Sequence, residues 1–370
     1  MSRIKKIVGL PGDGIGPEVY NEAKRVLLQL KEIYQLDIDL QEYPVGGAAI
    51  DSHSDPLPQS TIDACAQADA ILLGAIGGPK WDQLKGADRP EAGLLKLRKT
   101  FNLFANLRPV SLQKSLASLS PLKTEKLQGV DMLIVRELTG GLYFGNKFRE
   151  GDTATDTCVY SVPEIERITR LAFKLAQGRR NKVTSVDKAN VMETSRLWRE
   201  TVIRIAAEEF PEVELEHILV DAAAMHLIAK PAHFDVLLTE NLFGDILSDE
   251  ASMLCGSLGV LPSASFSGQD ATQSVALYEP IHGSAPDIAG QDIANPAAML
   301  LSLAMLLRHS LGHEKAATDL EKAVFTSWDA GILTADLTNN APVSTQEFTD
   351  SVINALTNKR TYSENLHRLG

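Results

Sequence analysis

Short apolar runs alternate with longer stretches of helical periodicity along most of the chain. "KKIVGL", "DAILLGAIGG", "DMLIVREL", "NKVTSVD", "HILVDAAA" and "FDVLLTENLFG" are β-rich and often end in Gly, Asp or Asn. Between them, Glu18 to Ile33, Pro163 to Gln177, Glu193 to Phe210 and Pro296 to Leu307 repeat apolar residues at three- and four-residue spacing. That spacing predicts amphipathic helices, and strand–helix alternation predicts an α/β fold with a mainly parallel sheet. In such sheets chemistry gathers at the carboxyl ends of the strands. One region departs from the pattern. "ELTGGLYFGNKFREGDTATDTCVYS" mixes Gly, Thr, Tyr and Phe in short alternation and predicts an antiparallel ribbon or arm, within a second domain inserted into the first.

At 370 residues the chain has room for two domains. It holds no apolar run long enough to span a bilayer, and "MSRIKKIVGL" lacks the apolar core of a secretion signal. The three cysteines, Cys65, Cys158 and Cys255, form neither a disulfide framework nor a Cys-x-x-Cys pair, which suits a reducing cytoplasm. A net charge of −12 argues against a nucleic-acid binder.

The turn in "IVGLPGDGIGPEV" has the layout of a dinucleotide loop but not its spacing. Gly12 and Gly14 fill the first two glycine places, whereas the third falls on Pro17. Pro17 suits the first turn of a helix, where its missing N–H costs nothing. Asp37 or Asp39 could stand for the ribose-binding acid of a true fingerprint. The turn reads better as a tight strand–helix connection than as a pyrophosphate cradle.

The helical stretch "NLFGDILSDEASMLCGSLG" carries Asp245 and Asp249 four residues apart, within about 40° of each other on one face. The helical wheel places Leu242, Phe243, Ile246, Leu247, Met253 and Leu254 in an apolar sector which the two aspartates border. Side-by-side carboxylates repel unless a cation lies between them, and Mg²⁺ or Mn²⁺ suits oxygen donors. A solvated acidic face is the alternative. Asp221, read as the end of the strand "HILVD", could add a third carboxylate. Arg98, Arg108 and Arg136 supply forks suited to carboxylates, and Lys188 follows a β-rich run. By its surroundings alone, Tyr143 is an ordinary aromatic of the ribbon.

These segments together resemble the β-decarboxylating dehydrogenase family of isocitrate and isopropylmalate dehydrogenases. "GLPGDGIGPEV", "GAIGGPKWD", "LRKTFNLFANLRPV", "VRELTGGLYFG", "DKANVM", "NLFGDILSDEASMLCGSLGVLPSAS" and "YEPIHGSAPDIAGQDIANP" carry the resemblance, in order and over most of the chain. It implies an α/β fold of two domains that is not a Rossmann fold. Residues 1–102 with 257–370 would form a cofactor-side domain, and 103–256 a second domain with the metal and substrate residues and the dimer arm. NAD would lie along Gly78 to Glu91 and the loop from His282, Gly283, Ser284 and Ala285 through Asp287 and Ile288 to Ala294 and Asn295. A carboxylate at Asp287 would favour NAD by repelling a 2′-phosphate.

The same resemblance assigns Arg98, Arg108 and Arg136 to the substrate carboxylates, and Asp221, Asp245 and Asp249 to Mg²⁺ or Mn²⁺. Lys188 would take or relay the hydroxyl proton, and Tyr143 would protonate the enol carbon after CO₂ leaves. Lys188 and Asp221 would enter from the neighbouring subunit of a homodimer with shared sites. Asn190 and Val191 would line the substrate site. Glu91, Leu94 and Leu95 make an apolar niche with one repelling carboxylate, suited to 3-isopropylmalate of leucine biosynthesis. Isocitrate would be rejected because burying an unpaired carboxylate is costly. Relatives acting on D-malate, tartrate or homoisocitrate, a non-catalytic regulatory subunit, and a metal-free hydroxy-acid dehydrogenase are the competing readings. The polar turn "SFSGQDATQSVAL" is longer than the family pattern leads one to expect.

Overall fold

The computed structural model of the protein describes residues 3–268 and 275–368, so residues 269–274 of the long polar turn lie outside the described residues. In chain order the strands are β1 (Lys5–Gly12), β2 (Ile38–Glu42), β3 (Ala70–Ala75), β4 (Ala105–Ser111), β5 (Asp131–Glu137) and β6 (Lys147–Glu150). They continue with β7 (Thr153–Asp156), β8 (Lys182–Asp187), β9 (Glu214–Leu219), β10 (Val236–Thr239), β11 (Pro262–Phe266) and β12 (Ala276–Pro280). The chain divides into two compact units, Met1–Phe101 with Ser257–Gly370, and Asn102–Gly256.

In the first unit the strand order is β2-β1-β3-β12-β11. β1 pairs in parallel with β2 and β3, β12 runs parallel to β3, and only β11–β12 is antiparallel. Every residue of β3, β11 and β12 is buried, as expected of strands covered on both faces. The helix Ala297–His309 is apolar around nearly its whole circumference, and Ala297 to Leu307 are all buried. A helix of that composition belongs in a core rather than on a surface. It packs against β11, β12 and the helix Glu314–Asp329.

In the second unit the order is β4-β5-β10-β8-β9. β4 and β5 are antiparallel, and the remaining pairs are parallel. Parallel pairing brings the carboxyl ends of β5, β8, β9 and β10 to one edge, where such folds collect polar chemistry. β6 and β7 form a separate antiparallel hairpin within the predicted ribbon.

The helices begin and end close to the predicted positions: Gly16–Tyr34, Val162–Gln177, Glu193–Glu209 and Ala297–His309. Local chemistry explains the boundaries. Ser161 and Glu164 close a capping box at the start of Val162–Gln177. The helix Gly16–Tyr34 has a proline in its first turn and ends on Gln35 in the left-handed region.

Two local expectations are corrected. "HILVDAAA" is not one strand: β9 ends at Leu219 and a helix runs over Val220–Ala229. Asp221 therefore sits in a helical first turn, where the helix dipole favours an acid. The acid helix, Asn241–Ser252, buries Asn241, Phe243, Gly244, Leu247, Ser248, Ala251 and Ser252. Ile246 is 57% exposed and Met253 46%, so neither belongs to its buried face. Small and polar residues share that face with Phe243 and Leu247, and β5 and the turn at Tyr143 pack against the helix.

Candidate active site

The second unit assembles a buried group of cations around one acid. Arg136, the penultimate residue of β5, is 2% exposed, and Arg108 in β4 is 6% exposed. The antiparallel register sets Asn106 opposite Arg136 and Arg108 opposite Ile134. The two arginines are thus diagonal neighbours on one face of the sheet, about 7–8 Å apart at the backbone. Both reach the helix Asn241–Ser252.

Arg136 donates from Nε and Nη2 to Asn241 Oδ1, at 3.1 and 2.8 Å, and from Nη1 to Asp245 Oδ1. Arg108 donates from Nη1 to Ser248 Oγ at 2.6 Å and from Nε to Asn106 Oδ1 at 2.7 Å. Its guanidinium also stands 3.8 Å from Asp245 Oδ1 and 3.6 Å from Asp249 Oδ1. Gly244 makes this packing possible. A Cβ there would stand 2.3 Å from Thr239 Oγ1 and 2.7 Å from Arg136 Cγ.

Tyr143 completes the group. It ends the turn Gly141–Tyr143 and donates its hydroxyl hydrogen to Asp245 Oδ2 at 2.7 Å, with the Arg136 guanidinium 5.8 Å from its ring centre. Burial and the Asp245 carboxylate push its phenol up to about 12. Burial alone would raise Asp245, yet Arg136, the Tyr143 hydrogen bond and Arg108 hold it below the usual carboxylate range. Asp249 goes the other way: burial and the neighbouring Asp245 charge outweigh Arg108. Two carboxylates one helical turn apart are thus tuned in opposite directions.

Lys188 follows β8 and donates to Asp221 Oδ1 at 2.6 Å. That hydrogen bond depresses the Asp221 carboxyl. Among the described residues no group of three or more His, Cys, Asp or Glu side chains stands close enough to hold a metal ion, so Asp221 does not join Asp245 and Asp249 within one chain. Asn190 and Val191 are exposed beyond Lys188.

The remaining candidates lie in the first unit. Arg98 pairs with Glu279 Oε1 at 2.9 Å, and both side chains are about nine-tenths buried, each 11% exposed. Arg98 Nε is buried without a hydrogen-bond partner among the described residues. Glu91 opens the helix Pro90–Thr100 with its carboxylate against Gly77, where a Cβ would lie 2.8 Å from Oε1. Leu94 and Leu95 are half-buried, and Gly78 caps the next short turn.

Three N–H groups of the glycine turn are already committed within the fold. Asp13 N–H is given to Ala75 O, Ile15 N–H to Ser284 O and Gly16 N–H to Asp13 O. Gly14, at φ +58°, lets Ser284 come close: a Cβ would stand 2.1 Å from its carbonyl oxygen. The turn therefore supports the loop His282–Asn295. Within that loop Asp287 is exposed, Ile288 and Ala285 are half-buried, Gly283 is exposed and Ser284 is buried. Ala294 accepts from Thr345 Oγ1 at 2.7 Å, and His282 Nδ1 stands 2.9 Å from Gly283 O.

Several partners of these groups escaped the sequence reading. Asp13, 4% exposed, accepts the N–H groups of Gly47, Ala48 and Gly77, each at 2.8 Å. Asn241 and Ser248 orient the two arginines, and a signal existed for them. They share the helical face of Asp245, at offsets of −4 and +3.

The chain belongs to the isocitrate/isopropylmalate dehydrogenase family, whose profile matches residues 6–352. Within the family its similarity is high to proteins named 3-isopropylmalate dehydrogenase. That of Bacillus licheniformis is 56% identical over 95% of this chain and 96% of its own length. That of Bacillus subtilis is 55% identical over 97% and 99%. Among solved structures, isocitrate dehydrogenase from Methylococcus capsulatus superposes with a TM-score of 0.85 at 34% identity, covering 95% of this chain and 99% of that one.

Proposed function

We propose that the protein oxidatively decarboxylates 3-isopropylmalate to 4-methyl-2-oxopentanoate and CO₂ while reducing NAD, a step of leucine biosynthesis. The observation that carries this reading is Asp245 held between Arg136, Arg108 and the hydroxyl of Tyr143, with Asp249 one turn away. Lactate-type dehydrogenation needs no such carboxylate pair, whereas a β-decarboxylation needs charge at the developing enolate and a proton for its carbon.

The residues fit a hard divalent cation. The donors are carboxylate oxygens, and the side chains of Asp245 and Asp249 are 34% and 60% exposed, open enough to meet an ion. Asp245 and Asp249 of one chain and Asp221 of a second would hold Mg²⁺ or Mn²⁺, which supplies Lewis-acid charge to the substrate hydroxyl and adjacent carboxylate when bound. Gly78 to Glu91 and His282 to Asn295 would hold NAD, which would supply the hydride acceptor. Asp287 selects it over NADP by charge.

The chain's own groups divide the remaining work. Arg98, Arg108 and Arg136 bind and orient the carboxylates. Lys188 takes or relays the hydroxyl proton at Nζ. After CO₂ leaves, Tyr143 gives its phenolic proton to the enol carbon, and its raised pKa keeps that proton in place at neutral pH. Leu94 and Leu95 receive the isopropyl group, and Glu91 repels a third carboxylate. Asn190 and Val191 complete the substrate wall.

Two features favour a homodimer that shares its sites. Among the described residues Asp221, to which Lys188 is hydrogen-bonded, forms no metal-holding group with Asp245 and Asp249 within one chain. Beside them Met225, Ile228 and Ile246, on the packed helices Val220–Ala229 and Asn241–Ser252, are 69%, 54% and 57% exposed, and Met253, just past the second helix, is 46% exposed. Apolar side chains clustered in this way mark an association surface. The three free cysteines suit a cytoplasmic enzyme.

The test is NADH production by the purified protein with 3-isopropylmalate, NAD and Mg²⁺. Activity should vanish with EDTA and return with Mg²⁺ or Mn²⁺, and kcat/KM should exceed that for D-malate, tartrate, homoisocitrate or isocitrate. A rival substrate with the higher kcat/KM overturns the reading.

A further inference from the structure

Asn295, 6% exposed, is the last residue of the loop that the proposed function gives to NAD, and its side chain is already committed at both ends. Oδ1 accepts the N–H of Ala297 at 3.0 Å, satisfying the first amide of the core helix Ala297–His309. Nδ2 donates to Asp336 Oδ2 at 3.0 Å. The backbone N–H and C=O of Asn295 make no hydrogen bond among the described residues. The side chain only sets where that main chain stands.

Asp336 is the common anchor. Its Oδ2 also accepts the hydroxyl of Ser257, where the chain enters the first unit for the second time, and its Oδ1 accepts Thr334 Oγ1 at 2.5 Å. Ser257 in turn accepts the N–H of Gly259 at 2.9 Å. Gly259 leaves no room for adjustment: a Cβ there would stand 2.8 Å from Asn295 Cβ and 3.0 Å from Asp336 Oδ2. One carboxylate thereby ties the cofactor loop, the re-entry of the chain and the turn before the helix Thr345–Arg368.

We infer that Asp336 is a positioning residue for the dinucleotide: it fixes the main chain of Asn295 through Nδ2 and links it to Ser257 and Thr334 without touching the cofactor or the reacting atoms. The inference rests on the NAD reading of the loop His282–Asn295. It goes beyond that reading by naming the group that holds the loop's far end.

The experiment compares wild type with Asp336→Ala and Asp336→Asn in two assays. The first is steady-state kinetics with 3-isopropylmalate and Mg²⁺ saturating and NAD varied. The second is NADH binding followed by tryptophan fluorescence, which needs no turnover. Removing a charge-assisted acceptor should weaken dinucleotide affinity about tenfold. Asp336→Ala should therefore raise KM for NAD and Kd for NADH by that factor, with kcat within about twofold and KM for 3-isopropylmalate unchanged. Asp336→Asn keeps one acceptor oxygen and should recover most of the loss. Unchanged NADH affinity in Asp336→Ala overturns the inference, as does a fall in kcat with dinucleotide affinity intact. A wild-type protein that binds NADH yet leaves 3-isopropylmalate unreacted overturns the substrate reading instead, and the binding assay still decides the role of Asp336.

Discussion

Tyr143 and Asp245 lie about a hundred positions apart in the sequence, and the phenolic hydroxyl of one donates to the carboxylate of the other across 2.7 Å. The pair couples a retained proton to an acid that two arginines keep ionised. Replacing Tyr143 by Phe removes the proton and leaves the half-buried ring. Turnover should fall by about 10²–10⁴-fold, the usual span for loss of a general acid. Circular dichroism and thermal melting should match wild type. Product formed in D₂O should show that the lost step is protonation at carbon; unchanged steady-state turnover removes Tyr143 from the mechanism.

Gly14 carries a φ of +58° with Ser284 packed where a side chain would begin. Gly14→Ala forces either the turn or the cofactor loop to move, at a cost of about 1–3 kcal/mol. The melting temperature should drop by about 1–4 °C. NAD affinity should weaken at the same time. A Gly14→Ala protein with unaltered stability and NAD binding shows that the turn does not support the loop.

Acid should destabilise the protein partly through His217. Both of its ring nitrogens are buried without a hydrogen-bond partner among the described residues, and Asp187 Oδ2 is 3.9 Å away. Burial, with the Arg199 charge, depresses its pKa against the pull of Asp187. Below its unfolded value, about 6.5, the unfolded chain binds a proton that the folded chain does not. Stability is then full above that pH and declines as pH falls toward the folded value. Urea midpoints measured from pH 7.5 to 5 should decrease in wild type and decrease less in His217→Asn. Parallel curves for the two proteins assign the acid sensitivity elsewhere.

Charge on the exposed apolar helices should separate the proposed dimer. Met225→Asp combined with Ile228→Asp places two like charges on a face where their counterparts would meet. Analytical ultracentrifugation should show a monomer. Turnover should be lost with it, because Lys188 and Asp221 would no longer reach the second chain's Asp245 and Asp249. A fully active monomer defeats both the shared site and the dimer.

The alternation of apolar runs and helical periods located most elements, since burial on a sheet or along a helix imposes spacing that survives in the sequence. Boundaries at Val162 and Gln177 or Glu193 and Glu209 differ by a residue at most from the pattern. The pattern failed where burial depended on a distant neighbour. Ile246 and Met253 look like core on a helical wheel, yet the helix turns Gly244, Ser248 and Asn241 inward to meet Arg136 and Arg108. The "HILVDAAA" run reads as one strand because its apolar residues fit a strand and a helix equally well.

Local order along the chain determined the fold class, the acid helix with Asp245 and Asp249, and the mismatch of the glycine turn to a dinucleotide fingerprint. Each depends on residues within one or two turns of each other, and backbone geometry fixes such relations without reference to the rest of the protein. Only the tertiary structure decided that Tyr143 faces Asp245, that Asp13 gathers Gly47, Ala48 and Gly77, and that Asp336 holds Asn295. Those contacts join segments tens to more than a hundred residues apart, and no periodicity encodes them. They exist because sheet order and strand register bring unrelated stretches of chain to the same few ångströms.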